Sequence, residues 1–175
     1  VVIHTLGSHA VYEDRYPIEY EKFKPTPRMV DGFIPTSPKF KIPTVNSYDN
    51  TILYTDFVIS QFIAKLDQHS DSSNMLMYLS DHGEQVFSGK CGKILHGNKT
   101  ENEFKIPLIT WYSDKYKKEN EQKISALFQN REKPIDQTSV FPTLIDLANI
   151  EIDNYETDRS LANPLLPKYT RYIYD

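Results

Sequence analysis

The sequence predicts an α/β fold built on a mainly parallel sheet, and three observations lead there. The runs "MLMYLS" (75–80) and "KIPLITWYS" (105–113) are nearly continuous in apolar residues, the pattern of strands buried on both faces. The stretch 47–68 repeats apolar residues at helical spacing, and two more helix-like segments follow the second apolar run. Strands that alternate with helices favour a parallel sheet with crossover connections. A chain of 175 residues is long enough to bury a core of its own.

Taken in order, "VVIH" (1–4) reads as a short apolar strand, and "TLGSH" as the loop after it. Residues 10–44 are rich in Pro, Lys and Tyr, show no sustained period, and read as a long surface excursion. Tyr48, Ile52, Ile59, Phe62, Ile63 and Leu66 then mark an amphipathic helix over about 47–68. His69 follows it, and a cation there suits the helix dipole. "SDSSN" is a turn into the first apolar run. After the second run, "DKYKKENEQKISALFQN" reads as one charged helix with a seam at Ile124, Leu127 and Phe128. "TSVFPTLIDLANI" reads as a helix capped near Thr138 or Ser139, with Pro142 in its first turn, where a missing N–H costs little. The tail, 151–175, holds turns and one strand, "YTRYIY". There is no internal repeat and no low-complexity tract.

Composition narrows the function classes. Hydrophobic residues make up 39% and charged residues 25%, a globular balance. The net charge of −4, with no long basic run, argues against nucleic acid, which needs a positive surface to displace phosphate counterions. No apolar stretch reaches the ~18 residues that span a bilayer, and no signal peptide is visible. The chain opens inside a strand-like segment, Val1-Val2-Ile3, so the expectation is a fragment of a longer protein. Cys91 is the one cysteine; it is either an unreactive thiol or the partner of a cysteine outside this segment.

The chemistry concentrates where the apolar runs end. Asp81 and His82 follow "MLMYLS", with Gly83 behind them to let the backbone turn. His4 and His9 sit in "HTLGSH", and His96 in "LHG". In parallel sheets, sites lie beyond the carboxyl ends of strands. One carboxylate with several imidazoles is the donor set that a zinc-like cation selects.

"HTLGSH", "YDNTILYTDFVI", "YLSDHGE", "LHG", "IPLITWYSDKY" and "FPTLIDLANI" occur here in the same order as in the alkaline phosphatase and sulfatase superfamily. Within it, the chain most resembles the phosphoethanolamine transferases that modify bacterial surface glycans and lipid A. The resemblance covers most of residues 1–150. It implies an alkaline phosphatase-like α/β/α sandwich, of which residues 1–175 would be the C-terminal portion, with the upstream half of the domain and the membrane anchor outside this chain. It implies zinc as cofactor, with Asp81 and His82 as ligands. A Glu and a nucleophilic Thr upstream would complete the site. His9 and His96 would line the phosphoethanolamine pocket, with His4 beside it. The donor would be phosphatidylethanolamine and the acceptor lipid A or a glycan. The location would be the periplasmic face of the bacterial inner membrane, reached through N-terminal transmembrane helices.

The sequence also departs from the family pattern. "GEQVF" replaces the "GES" common after the histidine, and the single cysteine contrasts with the several disulfides of many relatives. Thr5 and Ser80 adjoin the motifs but lack a nucleophile's context, and Glu84 is expected to support its loop. The competing readings are a phosphoglycerol transferase or another hydrolase of the superfamily, or a non-catalytic glycan- or lipid-binding module. A sulfatase would need a Cys-x-Pro-x-Arg type sequence; Cys91 is followed by Gly-Lys, and that motif would itself lie upstream of these residues.

Overall fold

The computed structural model describes residues 1–69, 71–88, 92–153, 155 and 157–168. They contain both helices and a few short strands and divide into two units, one of residues 1–68 and 76–111, the other of residues 69–75 and 112–175. Cys91 and the "YTRYIY" segment lie outside the described residues. No helix among the described residues is long and apolar enough to cross a membrane.

In the first unit the long helix α1 spans Lys41–Asp67, starting six residues before the periodic stretch. Pro43 lies in its first turn, where no helical N–H is lost. Its buried face was not foreseen. Thr44, Ser47, Asn50 and Thr51 are buried, while Ile52 and Phe62 of the expected apolar stripe are exposed. The reason is the segment before it. Residues 10–40 are no loose excursion: four short 3-10 turns, Tyr12–Asp14, Ile18–Tyr20, Pro27–Met29 and Pro38–Phe40, pack on the first half of α1. They bury Tyr12, Tyr16 and Phe40. Small polar residues on the helix let this backbone approach closely and then bond it. The Asn50 Oδ1 accepts from the N–H groups of Lys22 and Phe23, both at 2.9 Å, and its Nδ2 donates to the Phe23 carbonyl at 3.0 Å.

Strand β1 (Met75–Leu79) pairs with β4 (Leu108–Tyr112). Both apolar runs are therefore strands, but β1 is half-buried along its length, not buried on both faces. A second pair, β2 (Gln85–Val86) and β3 (Ile94–Leu95), is antiparallel, with Gln85 opposite Leu95 and Val86 opposite Ile94. The mainly parallel sheet expected from the sequence is thus not displayed: the described residues form two two-stranded sheets. Residues 1–4 form no strand, and Val1, Val2 and Ile3 are exposed. A strand exists only by pairing, and apolar content alone cannot supply a partner. Between β3 and β4, the four-residue helix α2 (Glu101–Phe104) opens with a reciprocal cap between Thr100 and Glu103.

In the second unit the expected single charged helix is two: α3 (Asp114–Glu119) and α4 (Glu121–Asn130), broken at Asn120. There φ −131° and ψ 36° leave the helical region, and the Asn120 side chain donates back to the Tyr116 carbonyl at 3.1 Å. Ser113 caps α3 by accepting from the Tyr116 N–H. Of the expected seam, Ile124 is buried and Phe128 is exposed beneath the Arg131 guanidinium. Helix α5 (Val140–Leu147) matches its expectation, with Pro142 in the first turn and Ser139 at the N-cap position; Asp136 caps the 3-10 turn Gln137–Ser139 that leads into it, accepting from the Thr138 N–H at 2.9 Å. Its buried Ile145 and Leu147 share the unit's core with Ile124, Ala126, Leu161 and Leu166.

Candidate functional site

The site lies within the first unit, where β1 ends. Ser80-Asp81-His82-Gly83-Glu84 turns sharply there. The Ser80 Oγ donates to the His82 carbonyl at 2.6 Å, and the Asp81 Oδ1 accepts from the His82 N–H at 3.0 Å. Gly83 is required by close approach: a Cβ on it would meet the Asn102 carbonyl oxygen at 2.1 Å. Its N–H instead donates to the Glu103 carbonyl at 2.9 Å, tying the turn to α2.

The His82 Nδ1 lies 2.9 Å from the Gly83 carbonyl. A carbonyl only accepts, so Nδ1 carries the proton and Nε2 is left as the coordinating nitrogen. That Nε2 is 3.8 Å from the Asp81 Oδ2. Two donors on one tetrahedral zinc are about 3.3 Å apart, given bonds of ~2.0 Å, so this pair needs only a small adjustment to share a cation.

Glu84 is the centre of the arrangement. Its side chain is only 7% exposed. The Tyr12 hydroxyl donates to Oε2 at 2.7 Å, and the His96 Nδ1 lies 3.1 Å from Oε1. The His82 and His96 ring centroids are 4.1 Å apart, and one ligand atom each from His82, Glu84 and His96 all fall within 4.8 Å of one another. Burial, reinforced by the bond to Glu84, pushes the Tyr12 hydroxyl far above the ordinary phenol range, so it stays a donor. Burial and then Glu84 also raise Tyr48, and burial and then Asp81 raise Tyr78. The field around the site is therefore negative, which suits a cation.

His96 is delivered by a strained loop. Leu95, just before it, holds φ +68°, and Gly97 just after it holds φ +84°; the leucine conformation costs on the order of 1 kcal/mol or more. Glu103 fixes the loop from behind, its carboxylate accepting from the Asn98 N–H at 2.9 Å and the Thr100 hydroxyl at 2.7 Å. Burial alone would raise its pKa, but these bonds outweigh it and hold the carboxyl below its usual range.

Of the residues expected from the sequence, His82 and His96 are brought together, and His9 lies nearby, its ring centroid 6.4 Å from that of His96. The His9 Nδ1 is tied to the Ala10 carbonyl at 2.8 Å, which leaves Nε2 as acceptor. Asp81 is adjacent but exposed, outside the His82–Glu84–His96 group. His4 is exposed in the irregular opening stretch and makes no ring contact with the other imidazoles among the described residues. The sequence reading gave Glu84 a supporting part and missed its place in the donor group.

The sulfatase family model matches residues 1–150 of the chain. The chain belongs to the sulfatase family. Among its sulfatase-family relatives, phosphoethanolamine transferase EptA of Escherichia coli is 34% identical over 163 residues, which are 89% of this chain and 29% of that protein. Kdo(2)-lipid A phosphoethanolamine 7''-transferase of Escherichia coli is 37% identical over 120 residues, 66% of this chain and 19% of that one. The crystal structure of the C-terminal periplasmic domain of EcEptC from Escherichia coli, in complex with Zn, has a TM-score of 0.78 at 28% identity, covering 97% of this chain and 46% of that one. The chain thus spans less than a third of the length of the curated relatives it matches.

Proposed function

We propose that this chain is the C-terminal portion of the catalytic domain of a zinc-dependent phosphoethanolamine transferase, with residues 1–175 forming part of one α/β/α domain whose sheet is mainly parallel in the whole protein. The observation that carries this reading is the gathering of His82, Glu84 and His96 beside Asp81 at the end of β1. The names of the relatives, and zinc in one solved neighbour, support it.

In this reading Asp81 and His82 hold zinc, together with a Glu and a Thr from outside the chain. Bound there, the ion supplies Lewis acidity that lowers the pKa of a coordinated hydroxyl and offsets phosphoryl charge. The residues of this chain do the rest. The His82 Nδ1–H, held by the Gly83 carbonyl, keeps the ring oriented with Nε2 inward. His9 and His96 line the phosphoethanolamine pocket, where an Nε2 left without a proton accepts from the ammonium end of the group, and His4 lies on the approach. Acceptors fixed in this way orient the group for transfer. The phosphoethanolamine would pass from phosphatidylethanolamine to the Thr, the P–O bond to diacylglycerol breaking as the Thr–O–P bond forms, and then to an oxygen of lipid A or a glycan, which frees the Thr hydroxyl. The Thr is outside this chain, so the isolated chain is inactive. The protein would be held at the periplasmic face of the bacterial inner membrane by segments outside these residues.

The test uses the full-length protein with a fluorescent phosphatidylethanolamine analogue and a lipid A acceptor. Transfer should need zinc, vanish on chelation, return on zinc addition, and be lost in Asp81→Ala and His82→Ala. Failure of the zinc-saturated protein to consume the donor would overturn the proposal.

A further inference from the structure

We propose that Glu84 and Tyr12 are a positioning pair: the buried carboxylate, clamped by the tyrosine hydroxyl, holds His96 as its Nδ1–H tautomer and leaves Nε2 to face the transferred group. The kinetic part of this proposal rests on the transfer reading above; the geometric part stands without it.

Glu84 has one oxygen for each partner. Oε2 takes the Tyr12 hydroxyl at 2.7 Å and Oε1 takes the His96 Nδ1 at 3.1 Å. An ionised carboxylate only accepts, so the imidazole must donate from Nδ1. His96 itself is half exposed, and an imidazole about its terminal torsion has two roughly equivalent orientations. Among the described residues, the hydrogen bond that selects one of them is the one to the Glu84 carboxylate. Tyr12 prevents the carboxylate from turning. It is 5% exposed and packs edge-on against Tyr48 of α1, with centroids 5.3 Å apart, so its hydroxyl has a fixed position.

The same bond joins two parts of the chain. Tyr12 opens the first 3-10 turn, three residues after His9. Arg15 of that segment donates to the His9 carbonyl at 3.2 Å and to the Ala10 carbonyl at 2.9 Å. The Tyr12–Glu84–His96 relay therefore sets the spacing of the His9 and His96 rings, 6.4 Å between centroids, from residues 72 and 12 positions apart in sequence.

The experiment is made on the full-length protein in micelles, with 15N-labelled histidine and His96 assigned by its own replacement. The wild type should show His96 as the Nδ1–H tautomer. Glu84→Ala should abolish that preference, Tyr12→Phe should mix the tautomers, and Glu84→Gln, whose amide oxygen still accepts, should restore it. Turnover should fall roughly 10- to 100-fold in Glu84→Ala, the range for removing a group that orients a site imidazole. It should fall at most about tenfold in Tyr12→Phe, the worth of one hydrogen bond. The loss should be in kcat, with zinc content unchanged in Tyr12→Phe. An unchanged His96 tautomer in Glu84→Ala overturns the proposal, as does zinc lost in step with turnover in Tyr12→Phe, which would make Glu84 a metal ligand instead. If the wild type transfers nothing, the transfer reading fails and the tautomer spectra still decide this one.

Discussion

Replacing Gly83 with alanine tests how the site is built. The new Cβ would lie 2.1 Å from the Asn102 carbonyl oxygen, 3.1 Å from its carbonyl carbon and 3.3 Å from the Glu103 Cα, all backbone atoms. An ordinary C···O contact is about 3.3 Å, so the turn and α2 must part by roughly 1 Å. Helix α2 cannot yield cheaply, because the Asn102 Nδ2 is anchored to the Gln85 Oε1 at 3.0 Å and the Ser88 Oγ at 2.7 Å. Parting also breaks the Gly83 N–H bond to the Glu103 carbonyl. Overpacking costs about 1–3 kcal/mol and the lost bond about 1 kcal/mol. The reduced freedom of the unfolded chain returns about 0.5–1 kcal/mol. The expected net loss is about 1–3.5 kcal/mol, read as a lower urea midpoint at unchanged slope. His82 and Glu84 flank the displaced residue, and a shift near 1 Å at a reacting site costs on the order of 100-fold in rate. Zinc affinity and turnover should fall with the midpoint. A variant within about 0.5 kcal/mol of wild type, with full zinc affinity, would refute the reasoning.

Three further outcomes are expected. His9→Ala and His96→Ala in the full-length protein should each cut transfer strongly, by no more than a few kcal/mol of transition-state stabilisation, with the fold intact by circular dichroism. Glu103 has a folded pKa below the ordinary glutamate value, so its contribution is complete above that ordinary value and is lost as the pH falls through the lower folded value. The stability difference between wild type and Glu103→Gln should therefore shrink as urea titrations move from neutral pH to about pH 3. Asn50→Ala strips partners from the Lys22 and Phe23 N–H groups and the Phe23 carbonyl. It should cost about 1–3 kcal/mol and open residues 10–40 to proteolysis first, measured by cleavage mapping.

Much of the site was legible because its residues are clustered in sequence. An apolar run that stops at Ser-Asp-His-Gly-Glu reads as a strand end carrying chemistry, and β1 and the turn stand where that predicts. The two strands and the α1 and α5 helices were equally readable, since local periodicity and turn chemistry specify them. Other features depended on partners distant in the chain. Residues 1–4 are apolar enough for a strand, yet pairing decides whether one forms. The face that α1 buries is the polar one, because residues 10–40 fold over it and bond to Asn50. Asn120 ends α3 because its side chain bonds back to the Tyr116 carbonyl and takes a bond from Asn149 at 3.2 Å, a partner 29 residues away. Sequence by itself determined which residue types could hold a cation and where strands would present them. Only the tertiary structure decided that Glu84 stands between Tyr12 and His96, because a hydrogen bond needs about 3 Å and a set direction, and no spacing along the chain encodes the distance between residues 72 positions apart.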